Sequence, residues 1–311
     1  KSYFGTSDLG LGGPIGGVKW RPARRKGPPL GMRRSDHSAR GTLPQVLTYD
    51  DEGLLLNGAR HQVISGSICY FRILPDQWHD RLRKLAALGA NAVEVYVPWN
   101  VHEPRPGEWH FAGEADLAGF VRLAASEGLH VLLRPGPYIC AEWSMGGLPW
   151  WLLAEAPAPK LRSSDPAFLR PVERYVRRVA QEVAPLLGIR GGPIVAVQIE
   201  NEYGYWGADH TYLQSLKRVV RATLGPEPLL FTVDGCFTPE TQKLGGLSGV
   251  LRTASFGSSS EGRFQTLRQT QPAGPLVCME FWVGWFDTWG NGAKMRRPAA
   301  SVAAGLSRML A

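Results

Sequence analysis

The run Ile194-Val195-Ala196-Val197-Gln198-Ile199-Glu200-Asn201-Glu202-Tyr203 changes character halfway, from β-branched and apolar to amide, carboxylate and aromatic. A strand that is apolar along its length is buried on both faces, as in a parallel sheet covered by helices. Its polar end then marks where the chain leaves the sheet. Period-two alternation predicts Gln198, Glu200 and Glu202 on one face and Ile199 on the other.

The same unit recurs on both sides of this run. After a hairpin predicted over Leu47 to Leu56, strand-like runs fall at Val63–Tyr70, Ala92–Val97, His130–Arg134, Ile194–Ile199, Leu229–Val233, Leu251–Ser255 and Leu276–Glu280. Helical patterns lie between most of them, at Gln77–Leu88, Ala115–Glu127, Pro166–Leu187 and Thr211–Leu224. Asp165-Pro166 reads as a cap followed by a proline at the first helical position, and Gly89 and Gly128 stand where helices stop. Seven strand–helix units in this order predict an α/β fold, the (β/α)8 TIM barrel, rather than an open doubly wound sheet. The last helical pattern, Ala299 to Leu310, runs to the end of the sequence, so an eighth strand and any C-terminal β-rich domains are expected outside it.

The charge is unevenly spread. Residues 1–45 hold nine basic side chains against Asp8 and Asp36, which is +7 of the total +8 and leaves residues 46–311 near neutral. Rich in Gly and Pro and without apolar periodicity, residues 1–45 are expected to be a flexible basic leader, and residues 46–311 the barrel domain. No aromatic stacking pattern or recognition helix accompanies the charge, so no nucleic-acid partner is expected. Neither a signal-peptide apolar region nor a run able to span a bilayer is present, so the chain is expected to be soluble, with compartment and oligomeric state open. Cys69, Cys140, Cys236 and Cys278 lack paired spacing and read as free thiols.

In such a barrel, chemistry gathers at the C-terminal ends of the strands. The second strand ends in Tyr96-Val97-Pro98-Trp99-Asn100 before His102-Glu103-Pro104, and the third in Arg134-Pro135-Gly136-Pro137-Tyr138-Ile139-Cys140-Ala141-Glu142-Trp143. The fourth ends in the opening run, and the seventh in Cys278-Met279-Glu280-Phe281-Trp282-Val283-Gly284-Trp285. A lone strand-end glutamate is usually half of an ion pair with arginine, and Trp99 and Trp143 are equally well read as core. Four ends that carry carboxylates or amides beside Trp and Tyr point instead to a polyhydroxylated ligand. Metal and nucleotide chemistries find no motif. His102-Glu103 is followed by Pro104 rather than a zinc-binding repeat, no GxSxG or Walker loop occurs, and no cofactor or metal is expected.

Residues 46 to 290 resemble glycoside hydrolase family 35, the retaining β-galactosidases. The resemblance rests on Ile64-Ser65-Gly66-Ser67, Tyr96 to Pro104, Leu132 to Trp143, Gly146-Gly147-Leu148-Pro149, Gly191 to Gly204 and Met279 to Trp285, in the right order. It implies that Glu202 is the general acid/base and Glu280 the nucleophile of an exo-acting β-galactosidase. It further implies that Tyr96, Ala141, Glu142 and Asn201 contact galactose hydroxyls, with Ile139 and Cys140 on the same loop and Trp285 as an apolar wall. Glu200 is expected to support a neighbouring side chain. Retention by double displacement needs the two carboxyls roughly 5–5.5 Å apart, and the charge of Glu280 should raise the pKa of Glu202. Two other readings share these residues: a related β-glycosidase such as an exo-β-glucosaminidase, and a catalytically silent galactose-binding protein. The basic leader and Asn291 to Arg297 have no counterpart in the family pattern.

Overall fold

The structure, a computed structural model, describes residues 43–154, 157–290 and 292–310. Most of the predicted leader, residues 1–42, lies outside the described residues. The first elements are short antiparallel strands, β1 (Leu47–Tyr49), β2 (Leu54–Leu56) and β3 (Ala59–Arg60), which form the predicted hairpin with Leu47 opposite Leu56.

Seven parallel strands follow: β4 (Ser65–Ser67), β5 (Ala92–Tyr96), β6 (His130–Arg134), β7 (Ile194–Gln198), β8 (Leu229–Gly235), β9 (Leu251–Phe256) and β10 (Cys278–Phe281). They lie side by side in chain order, each pairing with the next. The helices are α1 (Pro75–Ala87), the single turn α2 (Trp99–His102), α3 (Leu117–Ser126), α4 (Pro166–Val183), α5 (His210–Leu224), α6 (Pro239–Gly245), α7 (Ser260–Arg268) and α8 (Ala299–Leu310). The sheet is strongly curled. Tyr96 on β5 and Glu280 on β10 are five places apart along it, yet their side chains hydrogen-bond at 2.9 Å. This is the predicted barrel wall with seven strands, and among the described residues no strand pairs with the outer edges of β4 and β10.

Alternation sorts the core into two layers. Val93 and Val95 of β5, Val131 and Leu133 of β6, and Val197 of β7 face the helices, where they meet Phe120, Phe168, Tyr175 and Tyr212. Ala92, Leu132, Ala196, Phe231, Val233, Leu251 and Met279 face the interior, and the hairpin's Leu47 packs beneath them. Glu94, Tyr96 and Arg134 continue that inward row toward the strand ends, which carries charge into the barrel.

Most helix ends follow their local signals. Asp165 caps α4 by accepting from Ala167 N at 2.9 Å, and Gly89 and Gly128 adopt the left-handed conformation that ends α1 and α3. α4 stops at Val183, short of the expected Leu187, and gives way to a 3-10 turn that contains Pro185. The first predicted strand shrinks to Ser65–Ser67, because the chain turns at Tyr70–Arg72. α6 and α7 have no counterpart in the sequence reading. α6 is seven residues long and α7 buries only Ser260 and Leu267, so neither shows a broad apolar stripe. No helix of the described residues is long and apolar enough to cross a membrane.

Candidate active site

Arg134, only 1% exposed at the end of β6, is the hub of the strand ends. Its Nη1 donates to Glu94 Oε2 at 2.8 Å and also reaches the Tyr96 hydroxyl, and its Nη2 donates to Asn201 Oδ1 at 2.7 Å and Glu280 Oε1 at 2.6 Å. The guanidinium also lies 4.1 Å from the Tyr96 ring centre. Glu280 further accepts from the Tyr96 hydroxyl at 2.9 Å and from Trp282 Nε1 at 3.2 Å. Burial alone would raise the Glu280 carboxyl, but the Arg134 charge and these donors outweigh it and hold the group below its usual range. Glu94 moves the other way. Burial lifts it in spite of Arg134, and Ser65 Oγ caps its second oxygen at 2.9 Å.

Glu202 sits in a different environment. β7 ends at Gln198, and the backbone turns left-handed at Glu200 (φ 58°) and again at Glu202 (φ 46°). The expected alternation through Gln198, Glu200 and Glu202 therefore fails once the pleat ends. Glu200 is drawn into the wall, where it accepts from Arg162 Nε and Nη2 at 2.9 and 2.7 Å and from the Tyr212 hydroxyl at 3.0 Å. It supports its neighbour as well, accepting from Asn201 N at 2.6 Å. Glu202 is anchored through its amide to Val233 O at 2.9 Å, and its Oε1 accepts from the Ser255 hydroxyl at the end of β9. Burial, then the charge of Glu280, raises its carboxyl above the ordinary value. Asn201, next to Glu202 in the chain, shares the Arg134 donor with Glu280; its Oδ1 accepts from Arg134 and Gln198, while its buried Nδ2 has no partner among the described residues.

The loop after β6 supplies the rest. Cys140, Ala141 and Glu142 are three consecutive left-handed residues, and Arg72 holds their turn by donating to the carbonyls of Ala141 and, at 2.6 Å, Glu142. A cavity of about 890 Å3 runs between β4 and β10, and its walls include Tyr96, Cys140, Ala141, Glu142, Glu280 and Trp282. Asn201, Glu202, Ile139 and Trp285 are not among those walls. Ile139 is buried against Gly136 and Gly147, while Trp285 is 51% exposed, stacked on Phe286 and edge-on to the wall residue Trp282 at 5.4 Å. Trp99 is core, stacked on Tyr175 at 4.8 Å. Trp143 donates to Asn100 Oδ1 at 2.9 Å and packs on Phe71. All four cysteines are free, with Cys236 fully buried. Among the described residues no group of three or more His, Cys, Asp or Glu is placed to hold a metal ion.

Sequence reasoning assigned no role to Arg134, Glu94, Ser255 or Trp282. Glu94 and Arg134 did carry a signal: each is a charge set into an otherwise apolar strand, in phase with Tyr96.

The description "Glycosyl hydrolases family 35" matches residues 53–311. The chain is 46% identical over 268 residues to the "Beta-galactosidase-1-like protein" of Mus musculus, covering 85% of this chain and 41% of that protein. It is 45% identical over 248 residues to the "Beta-galactosidase" of Homo sapiens, covering 79% and 36%. The chain thus spans about two fifths of the length of the curated relatives it matches. Among solved structures, an "Exo-beta-1,4-mannosidase" from Opitutaceae bacterium strain TAV5 shares the fold, with a TM-score of 0.62 at 20% identity over 82% of this chain and 50% of that one.

Proposed function

The chain belongs to glycosyl hydrolases family 35, and we propose that it forms the catalytic barrel of a retaining exo-β-galactosidase that releases terminal non-reducing β-D-galactose from oligosaccharides or glycoconjugates. Glu280 attacks the anomeric carbon while Glu202 gives its proton to the glycosidic oxygen, so the aglycone leaves as a neutral alcohol and galactose stays as an ester on Glu280. Water then attacks the same carbon. Glu202 takes the water's proton, the ester bond breaks, and galactose leaves with both carboxyls restored.

What carries this reading is the opposite drift of two carboxyls, one on β10 and one just past β7: Glu280 held down by Arg134, and Glu202 pushed up by burial and by Glu280 itself. When Glu280 becomes an ester its charge disappears, and Glu202 loses that upward push as its role changes from acid to base. Asn201 Nδ2, buried and without a partner among the described residues, supports a contact with a sugar hydroxyl. Tyr96 and the Cys140–Glu142 turn, on the wall shared with Glu280, support the remaining galactose contacts. A 2-deoxy-2-fluoro-β-galactosyl donor, which slows breakdown of the ester, tests the assignment by peptide mass mapping. The label is expected on Glu280; a label elsewhere, or none, overturns it.

A further inference from the structure

Trp206 is 57% exposed although it stands only four residues after Glu202. We propose that its exposed indole is the platform on which the leaving group lies, so that this one side chain sets the preference for a pyranose aglycone over a simple alkyl one. This rests on the reading of Glu202 as acid. The proton donor must lie beside the glycosidic oxygen, so the aglycone passes over the chain that carries it. That chain is one tight turn. Tyr205 N donates to Glu202 O at 3.2 Å, and Trp206 N donates to Tyr203 O at 2.8 Å.

The indole is held against Arg162 while more than half of the residue stays exposed. The Arg162 guanidinium lies 5.1 Å from the Trp206 ring centre and 4.0 Å from that of Tyr138. Arg162 is itself 5% exposed and fixed by two bonds to Glu200 and one, at 2.7 Å, to Asn201 O. The ring is therefore pre-positioned, which cuts the ordering cost of a ligand that stacks on it. Tyr205 on the same turn is 52% exposed, with its hydroxyl against Gly235 at the end of β8. The flat C–H face of a pyranose matches such a surface in size and polarity.

Calorimetry on the full chain carrying Glu280→Gln, which binds without turnover, reads the effect as the ratio of affinities for lactose and methyl β-galactoside. The ratio is expected to favour lactose and to fall about tenfold with Trp206→Ala, roughly the worth of one good aromatic contact, and Trp206→Phe is expected to restore most of it. An unchanged ratio, or equal weakening of both sugars, overturns the platform and leaves the galactosidase reading standing. Failure of both sugars to bind the parent overturns that reading and the platform with it.

Discussion

At the scale of single residues, two carboxyls of the same chemistry are driven apart by what surrounds them. The pH dependence follows from the signs. On the proposed mechanism Glu280 must be ionised to attack, so activity is expected to fall as pH drops through its lowered pKa. On the same proposal Glu202 must be protonated to act as acid, so activity is expected to fall as pH rises through its raised one. A dinitrophenyl galactoside needs no proton to release its phenolate. With Glu202→Ala and that substrate, the alkaline limb of kcat/KM should vanish while the acid limb stays, as a stopped-flow pH series will show. Asp234 offers a second test. Burial, reinforced by the charges of Glu202 and Glu200, holds its carboxyl well above the usual range, against the hydrogen bond from Gly204 N at 2.7 Å. A raised acid stabilises the fold below its unfolded pKa of about 4, and that stability is lost as pH rises through the folded value. Asp234→Asn should therefore flatten the decline of the thermal midpoint with pH, and an unaltered slope would refute the link. The two glutamates stand out in the sequence as carboxyls at strand ends. Their environments do not, because Arg134 meets Glu280 across 146 positions of chain.

At the scale of elements, the parallel strands were legible because strands buried on both faces read as β-branched runs, and β5, β6 and β7 begin where those runs begin. What escaped was whatever lacks a period. α6 and α7 are short and weakly apolar, and the turn after β7 abandons alternation at Glu200. That turn presses on α6: a Cβ added at Gly204 would run into the carbonyl oxygen of Thr241. Gly204→Ala should thus cost roughly 1–3 kcal/mol in urea denaturation. It should also lower kcat more than it raises KM, because the displaced turn carries Glu202.

At the scale of the molecule, the curl of the sheet was legible only as a count of repeating units, whereas the cross-links that draw its far sides together became visible in three dimensions. Arg134 joins β5, the end of β7 and β10 in one buried network of Glu94, Tyr96, Asn201 and Glu280. Arg134→Leu would strand the buried Glu94 and the partly buried Glu280 and should cost about 3–5 kcal/mol of unfolding free energy, to be read from denaturant midpoints. Doubling it with Glu94→Gln should return part of that loss, since one of the stranded charges is then gone. The left-handed residues at the strand ends carry a different consequence. Cys140, Ala141, Glu142, Glu200 and Glu202 all hold a backbone conformation that glycine or asparagine would adopt more cheaply. A population of variants screened for heat resistance alone would accumulate such replacements at these positions. Its hardiest survivors would be those that had forgotten the reaction.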